Sequence, residues 1–260
     1  MSDVALVVKQ TGYSLKSISR SPRALVFTVI FPIVMLLLFA SIFSKGGDAQ
    51  TSFQGGQIDT DAYFTAGIIA YAIAMACFSS LAISLTTERE TGLLKRFRGT
   101  PVPAWTFIAA RICRSIVLVA FQVVALLIIA RLAFDVRLSA EGIAEVAVFS
   151  VLGTAAMCAL GIALTSVTTT PDSAATIAPF GTVLLAFISG VFIPTDQLPD
   201  SLVQIGKVFP LAHLASGLQA AFGTGAVHLS GENVAVIALW GAAGIIVAAR
   251  TFRWEPHTQT

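Results

Sequence analysis

The chain has 260 residues, of which 56% are hydrophobic and only 12% charged, with a formal net charge of +2 and a mean hydropathy of +0.85. A soluble domain carries about a quarter charged residues, so the composition excludes a water-soluble globular protein and points to an integral membrane protein. The small net charge says little about partners, and no nucleic-acid partner is expected.

From the N-terminus, residues 3–20 repeat Val4, Val8, Thr11, Leu15 and Ile18 at steps of three or four, with Lys9, Gln10, Lys16 and Arg20 off that line. This pattern predicts an amphipathic helix lying along the inner membrane face, its basic side toward anionic lipid. The Ser-Pro-Arg at 21–23 ends it, so that 1–23 form one interfacial unit. The next apolar run begins only after Arg23 and is too long for a signal-peptide h-region of about 7–15 residues, so it is expected to be a retained first span.

A helix needs about 20 apolar residues to cross the hydrocarbon core. Six stretches qualify, approximately 24–44, 62–86, 115–130 with its flanks, 146–170, 173–194 and 233–249, and none contains a formal charge. With the N-terminus inside, twelve of the sixteen Lys and Arg fall on the cytoplasmic side: Lys9, Lys16, Arg20, Arg23, Arg89, Lys95, Arg96, Arg98, Arg111, Arg114, Arg250 and Arg253. The outer side keeps Lys45, Arg131, Arg137 and Lys207. The bias predicts six spans with both termini cytoplasmic. Cys77, Cys113 and Cys158 are an odd set without metal-ligand spacing, read as small apolar packing residues, and the three histidines form no metal motif.

Between the second and third runs, residues 86–105 concentrate charge. Glu88, Arg89 and Glu90 come first, then Leu93, Leu94 and Phe97 interleave with Lys95, Arg96 and Arg98. The expected structure is a short self-capped helix: Thr87 as N-cap, the acidic pair in its first turn, the basic cluster near its end, Gly99 as the left-handed closing residue, and Pro101 and Pro103 preventing continuation. Gly92 either weakens it or lets another chain approach closely. Orientation alone accounts for Lys and Arg but not for the acids, whereas a docking helix needs apolar residues for a groove and mixed charges to fix register.

Residues 190–232 are too apolar for a solvated loop and are interrupted by Pro194, Pro199 and Pro210, with Leu198, Leu202, Ile205 and Phe209 at helical spacing. They are expected to form short outer helices or a re-entrant hairpin buried against protein.

The chain lacks a phosphate-cradling loop: its Gly206-Lys207 is followed by Val208 rather than Ser or Thr. Nor do the expected span interiors carry an ionisable group of the kind that drives proton-coupled carriers. Energy is therefore expected from another protein. No nucleophile–base–orienter set is present that would make this a membrane enzyme; Asp196, Asp200 and His213 are a loose grouping.

The segment ERETGLLKRFRGTPVPAWTFIAAR, residues 88–111, resembles the E-R-E-x-G-x-L-x-x-L-x-x-T-P signature of type-2 ABC exporter permeases, the group that includes daunorubicin-resistance-like drug exporters. The stretch FIPTDQLPDSLVQIGKVFPLAHLASGLQA and the six-span layout resemble the same family, so that the likeness covers nearly the whole chain as a single permease domain, 1–260. Leu93 and Phe97 depart from the threonine and leucine common there, while keeping the apolar edge.

That resemblance implies an all-α membrane subunit in a bacterial inner membrane, pairing with a second copy or a related permease and binding two cytoplasmic ATPases. No cofactor is bound directly, since ATP and Mg²⁺ are used by the partner. Glu88, Arg89, Glu90 and Gly92, with Leu93, Leu94 and Phe97, fall in or beside the coupling helix, and a substrate path runs between the second and fifth spans of two protomers. Candidates for that path are Gln122, Phe64, Tyr71, Ser79, Phe180 and Phe187, with Thr65, Ser80, Ser84, Thr182 and Ser189 as polar punctuation and Pro179 as a possible joint. The expected cargo is a drug, lipid or other amphipathic compound, exported by alternating access; polysaccharide or glycolipid export and a self-contained secondary carrier are the alternatives.

Overall fold

The computed structural model describes residues 3–20, 26–43, 50–53, 56–99, 103–223 and 230–252. Arg23, Lys45, Pro101 and Arg253, residues 224–229, and the side chains of Phe97 and Arg98 lie outside this description.

The described chain is a helical bundle. Helix α1 is Asp3–Ser19. A π-helical turn, Val26–Ile30, runs into α2, Phe31–Phe43. A small antiparallel hairpin follows, β1 (Gln50–Phe53) with β2 (Gly56–Asp59), in the register Gln50↔Asp59. Helix α3 spans Thr60–Glu90, with a π turn at Met75–Ser79, and the short α4 is Leu93–Arg98. Then come α5 (Ala104–Phe134), α6 (Ala140–Leu164) and α7 (Pro171–Ile188). The last elements are α8 (Asp200–Gly206), α9 (Pro210–Ala221) and α10 (Gly231–Thr251).

Five helices, α3, α5, α6, α7 and α10, are long and apolar enough to cross a membrane, and Thr28–Phe43 is a shorter apolar helix. The expected boundaries shift at three of them. The third run is one helix of 31 residues, which at about 1.5 Å per residue exceeds the ~30 Å hydrocarbon core, so it carries Arg111, Arg114 and Arg131 toward its ends. The fourth helix begins at Ala140, where Ser139 Oγ accepts from the Gly142 amide. It therefore includes Glu145, which is buried. The fifth ends at Ile188 rather than near 194, because Gly190 takes a left-handed φ of 73° and turns the chain back. Arg114 and Glu145, each one residue outside the expected spans, are thus part of the helices and are buried.

Helix α3 is the hub. Nearly every residue from Thr60 to Ala74 is buried, and α2, α5, α6, α7 and α9 pack around it. The close pairing of α6 with the π turn depends on Gly161, where an added Cβ falls 2.6 Å from the Cys77 carbonyl and 2.8 Å from that of Phe78. Ser79 and Thr182 hydroxyls meet at 2.7 Å, tying the same turn to α7, whose Pro179 lies one turn away.

Residues 190–223 fold as a turn, α8 and the buried α9. Leu211, Leu214, Ala215 and Leu218 of α9 enter the core, and the Gly190 carbonyl accepts from both Tyr63 Oη at 2.7 Å and Gln219 Nε2 at 3.1 Å. On α8, by contrast, Leu202 and Ile205 remain exposed.

Helix α1 packs along α5 on a line that keeps Thr11 and Ile18 of the expected stripe and adds Ser14. Thr11, Ser14 and Ile18 face inward while Val4 and Val8 are exposed. The reason is polar: Thr11 Oγ1 donates to the Ala110 carbonyl at 3.3 Å, and Arg114 Nη1 donates to Ser14 Oγ at 3.5 Å.

Candidate functional site

One end of the bundle gathers the end of α3, all of α4, the start of α5, the α6–α7 connection and the side of α1. Its local structure differs from the self-capped helix expected for 86–105. Thr87 does not cap a new helix; its Oγ1 donates to the Ile83 carbonyl one turn back, inside α3. Glu88, Arg89 and Glu90 form the last turn of that long helix. The left-handed closing residue is Gly92, with φ 73°, and not Gly99. The Gly92 amide donates to the Arg89 carbonyl at 3.0 Å and that of Thr91 to Thr87 at 2.9 Å, a glycine-terminated helix end. Helix α4 restarts at once, Arg96 N donating to the Gly92 carbonyl at 3.1 Å.

Two carboxylates near the C-terminus of α3 oppose the helix dipole, and each is matched by an arginine. Arg111 of α5 grips Glu88 with two nitrogens, Nε to Oε2 at 3.0 Å and Nη2 to Oε1 at 2.5 Å, while its guanidinium lies 4.7 Å from the centre of the Phe107 ring. Arg89 is 1% exposed. Its Nε donates to Glu90 Oε1 at 2.7 Å, Nη1 to the Thr165 carbonyl at 2.7 Å and Nη2 to the Thr168 carbonyl at 2.6 Å. The Thr165 carbonyl caps α6 and that of Thr168 lies in the α6–α7 connection, so Arg89 satisfies acceptors at and just past a helix C-terminus. A Thr86–Thr168 hydroxyl pair at 3.0 Å adds to the same joint.

This arrangement sorts the residues assigned to coupling. Arg89 and Leu94 are buried and Glu88 and Glu90 are engaged inside the protein, so these four position the segment rather than form its outer face. Leu93, Lys95 and Arg96 are exposed on α4. The result is a short helix with two cations outward and Leu93 at the edge of the space behind it, following directly on an α3 end that is tied to α5 and to the α6–α7 connection.

Behind it lies a cavity of about 1010 Å³, bounded by α1, α3, α5 and α7. Ser14, Ile18, Ser79, Ile83, Ser84, Glu88, Arg111, Arg114 and Pro179 are among the residues that line it. Only Ser79 of the six path candidates lies there. Gln122 is buried and its amide donates to the Thr28 carbonyl, joining α5 to the π turn before α2. Phe64 and Tyr71 belong to an aromatic cluster with Phe31, Phe39 and Phe192. Phe180 and Phe187 are exposed along α7. Phe187 also meets Phe192 at 5.1 Å, so Phe64, Tyr71 and Phe187 share that cluster, while Ser79, Gln122 and Phe180 lie apart from it. Among the polar punctuation, Ser80 and Ser84 do line the cavity. What sequence reasoning passed over is Arg114 with its serine partners. The signal in the sequence is the i,i+3 pair Arg111 and Arg114, which share one helix face.

Residues 10–222 match the family described as ABC-2 type transporter. The chain belongs to that family. It is a membrane permease of an ABC transporter, and such a permease associates with an ABC ATPase. The ABC-2 match runs from α1 to the end of α9 and so includes the whole charged end. This permease is also 22% identical over 209 residues to "Putative transport permease YvfS" of Bacillus subtilis (strain 168), covering 80% of this chain and 82% of that protein.

Proposed function

We propose that this permease is the membrane half of an ATP-driven exporter of amphipathic compounds, powered by a separate cytoplasmic ATPase that presses on α4. The observation that carries this reading is the construction of the α3–α4 corner. An exposed Leu93, Lys95 and Arg96 sit on α4, which follows at once from the end of α3, where Arg89 is bonded to the cap of α6 and to the α6–α7 connection. Force applied at α4 therefore reaches α3, α5 and the α6–α7 connection together, while the π turn of α3 and Pro179 of α7 provide bends at which those helices yield.

In this reading Thr28–Phe43, extended by the π turn before it, is a sixth span, both termini are cytoplasmic, and the membrane is a bacterial inner membrane. Two permeases pair, and the exposed apolar line Ile177, Phe180, Leu184 and Phe187 on α7 is available for that contact or for lipid. The apolar walls of the large cavity favour an amphipathic cargo over a polysaccharide.

The test is reconstitution with an ATPase subunit encoded beside the permease. Hydrolysis stimulated by the permease, together with transport that needs both proteins and ATP, is the expected result. Full transport by vesicles holding the permease alone would overturn the reading and favour a self-contained carrier.

A further inference from the structure

Three arginines meet at the charged end, and their bonding is unequal. Arg89 has Glu90 and two carbonyls. Arg111 has both oxygens of Glu88. Arg114 is 4% exposed, yet its contacts are two neutral hydroxyls, Ser84 Oγ at 3.2 Å and Ser14 Oγ at 3.5 Å, and its Nε has no partner among the described residues. A guanidinium does not deprotonate in a protein, so the charge persists and is largely shielded from water. Such a group is stable when an anion completes its fork. Among the described residues the one carboxylate on the cavity wall, that of Glu88, is already clamped by Arg111.

The remaining wall defines what the anion is attached to. Away from the arginine the cavity is mainly apolar, with Ile18, Met75, Ile83 and Pro179 on three helices, and its volume of about 1010 Å³ exceeds the needs of an inorganic ion. Of its serines, Ser14 and Ser84 stand at the charged part beside Arg114, where a hydroxyl that turns from its present acceptor (for Ser84 the Leu81 carbonyl) can donate to a phosphoryl oxygen.

We propose that the cavity between α1, α3, α5 and α7 binds a phosphate-headed amphiphile, its head on Arg114, Ser14 and Ser84 and its chain along the apolar wall. Because Ser14 belongs to α1 and Ser84 to α3, the bound head staples the peripheral helix to the hub of the bundle. A membrane phospholipid and a single-chain phosphorylated compound both present this chemistry. The site does not depend on ATPase docking, so its failure and the failure of that reading are separate results.

The experiment is calorimetric titration of the purified full-length permease, in a neutral maltoside detergent, with dodecyl phosphate. Dodecylphosphocholine and inorganic phosphate serve as the zwitterionic and chainless comparisons. Saturable binding of about one dodecyl phosphate per chain is expected, at least about tenfold tighter than either comparison, since losing a charge-assisted contact or the apolar burial each costs that much. Arg114→Gln should weaken it by about tenfold or more while keeping the thermal midpoint, and Arg114→Lys should recover part of the affinity. Ser84→Leu keeps the arginine but fills the space beside it, and should also weaken binding if Arg114→Gln proves unstable. Competition by phosphatidylglycerol in nanodiscs identifies the occupant as a membrane lipid; its failure to compete identifies a single-chain compound. Either result upholds the site. Undiminished binding by Arg114→Gln or by Ser84→Leu, or equal binding of inorganic phosphate, overturns it.

Discussion

Arg89 shows how one side chain can decide whether a charged segment is a loop or a rigid corner. Its sequence position suggests an exposed cation, whereas the structure makes it the bonded centre between α3 and the end of α6. Replacing it with methionine keeps the stem but removes the Arg89 bond to the Glu90 carboxylate and leaves the Thr165 and Thr168 carbonyls without their guanidinium donor. Arg89→Met is expected to destabilise the permease by about 3–5 kcal/mol, as when one partner of a buried ion pair is removed. Arg89→Lys retains charge but not the fork that reaches three acceptors, and is expected to cost about 1–3 kcal/mol. Unfolding of the purified protein in detergent measures both; equal stability of Arg89→Met and wild type would show the bonds to be idle. Gly92 is a second single-residue determinant, for a different reason. A Cβ there meets nothing within 4 Å, so Gly92→Ala carries only the strain of a left-handed φ of 73°, about 1–2 kcal/mol. The variant should fold, with stimulation of the ATPase partner falling more than stability does, because the strain is relieved by reorienting α4. Unchanged stimulation alongside a lowered melting midpoint would remove Gly92 from the coupling device.

At the scale of elements, the contact of α6 with the π turn of α3 governs the bundle's centre. Gly161→Ala puts a methyl against the Cys77 and Phe78 carbonyls, backbone atoms that cannot rotate away, and should cost about 1–3 kcal/mol through overpacking. Gly181 on α7 has open space around its missing Cβ, so Gly181→Ala is expected to be neutral or to stabilise by about 0.5–1 kcal/mol through helix propensity. Thermal unfolding of the two variants reads the contrast directly, and equal midpoints would remove the α3–α6 contact as its cause. The same elements show what the sequence could and could not reveal. Long apolar runs marked α3, α5, α6, α7 and α10 because hydrophobicity of that length has few soluble uses. Their ends were less visible, since a helix does not stop where charge begins. Glu145 is carried inside α6, and Glu88 to Glu90 continue α3. Gly92 and Gly99 are the same residue type a few positions apart, and only tertiary packing decides which one turns left-handed. The hairpin β1–β2 is not among the expected elements, although the sequence there carries the pair Gly55-Gly56, a turn signal. For the site, the cluster of charge was legible, but its division into buried anchors and an exposed edge was not, because the acceptors for Arg89 lie on α6 and the α6–α7 connection, more than seventy residues away in the chain.

For the whole molecule, the decisive matter is which side of the membrane the charged end faces, because an ATPase partner reaches only the cytoplasm. The structure gives this a geometric scale. Arg114 and Arg131 are seventeen residues apart on α5, roughly 26 Å along a helix axis, which is close to the ~30 Å core, so the proposed arrangement in the membrane puts the two arginines at opposite interfaces. Arg89, Arg111 and Arg114 therefore share one side, with Arg137 on the other. An excess of Lys and Arg in short connections favours the cytoplasm, and the connection holding Arg89, Lys95 and Arg96 is richer than that holding Arg131 and Arg137. Lys95 and Arg137 are both exposed, whereas Cys77 and Cys158 are buried. Cysteine placed at either exposed position, with Cys113 replaced by serine, therefore reports sidedness. A membrane-impermeant maleimide should label Arg137→Cys in intact cells and leave Lys95→Cys unlabelled until the membrane is opened. The reverse pattern would put α4 outside the cell, where no nucleotide-driven partner could press on it, and would end the docking proposal while leaving the bundle and its Arg114 cavity intact.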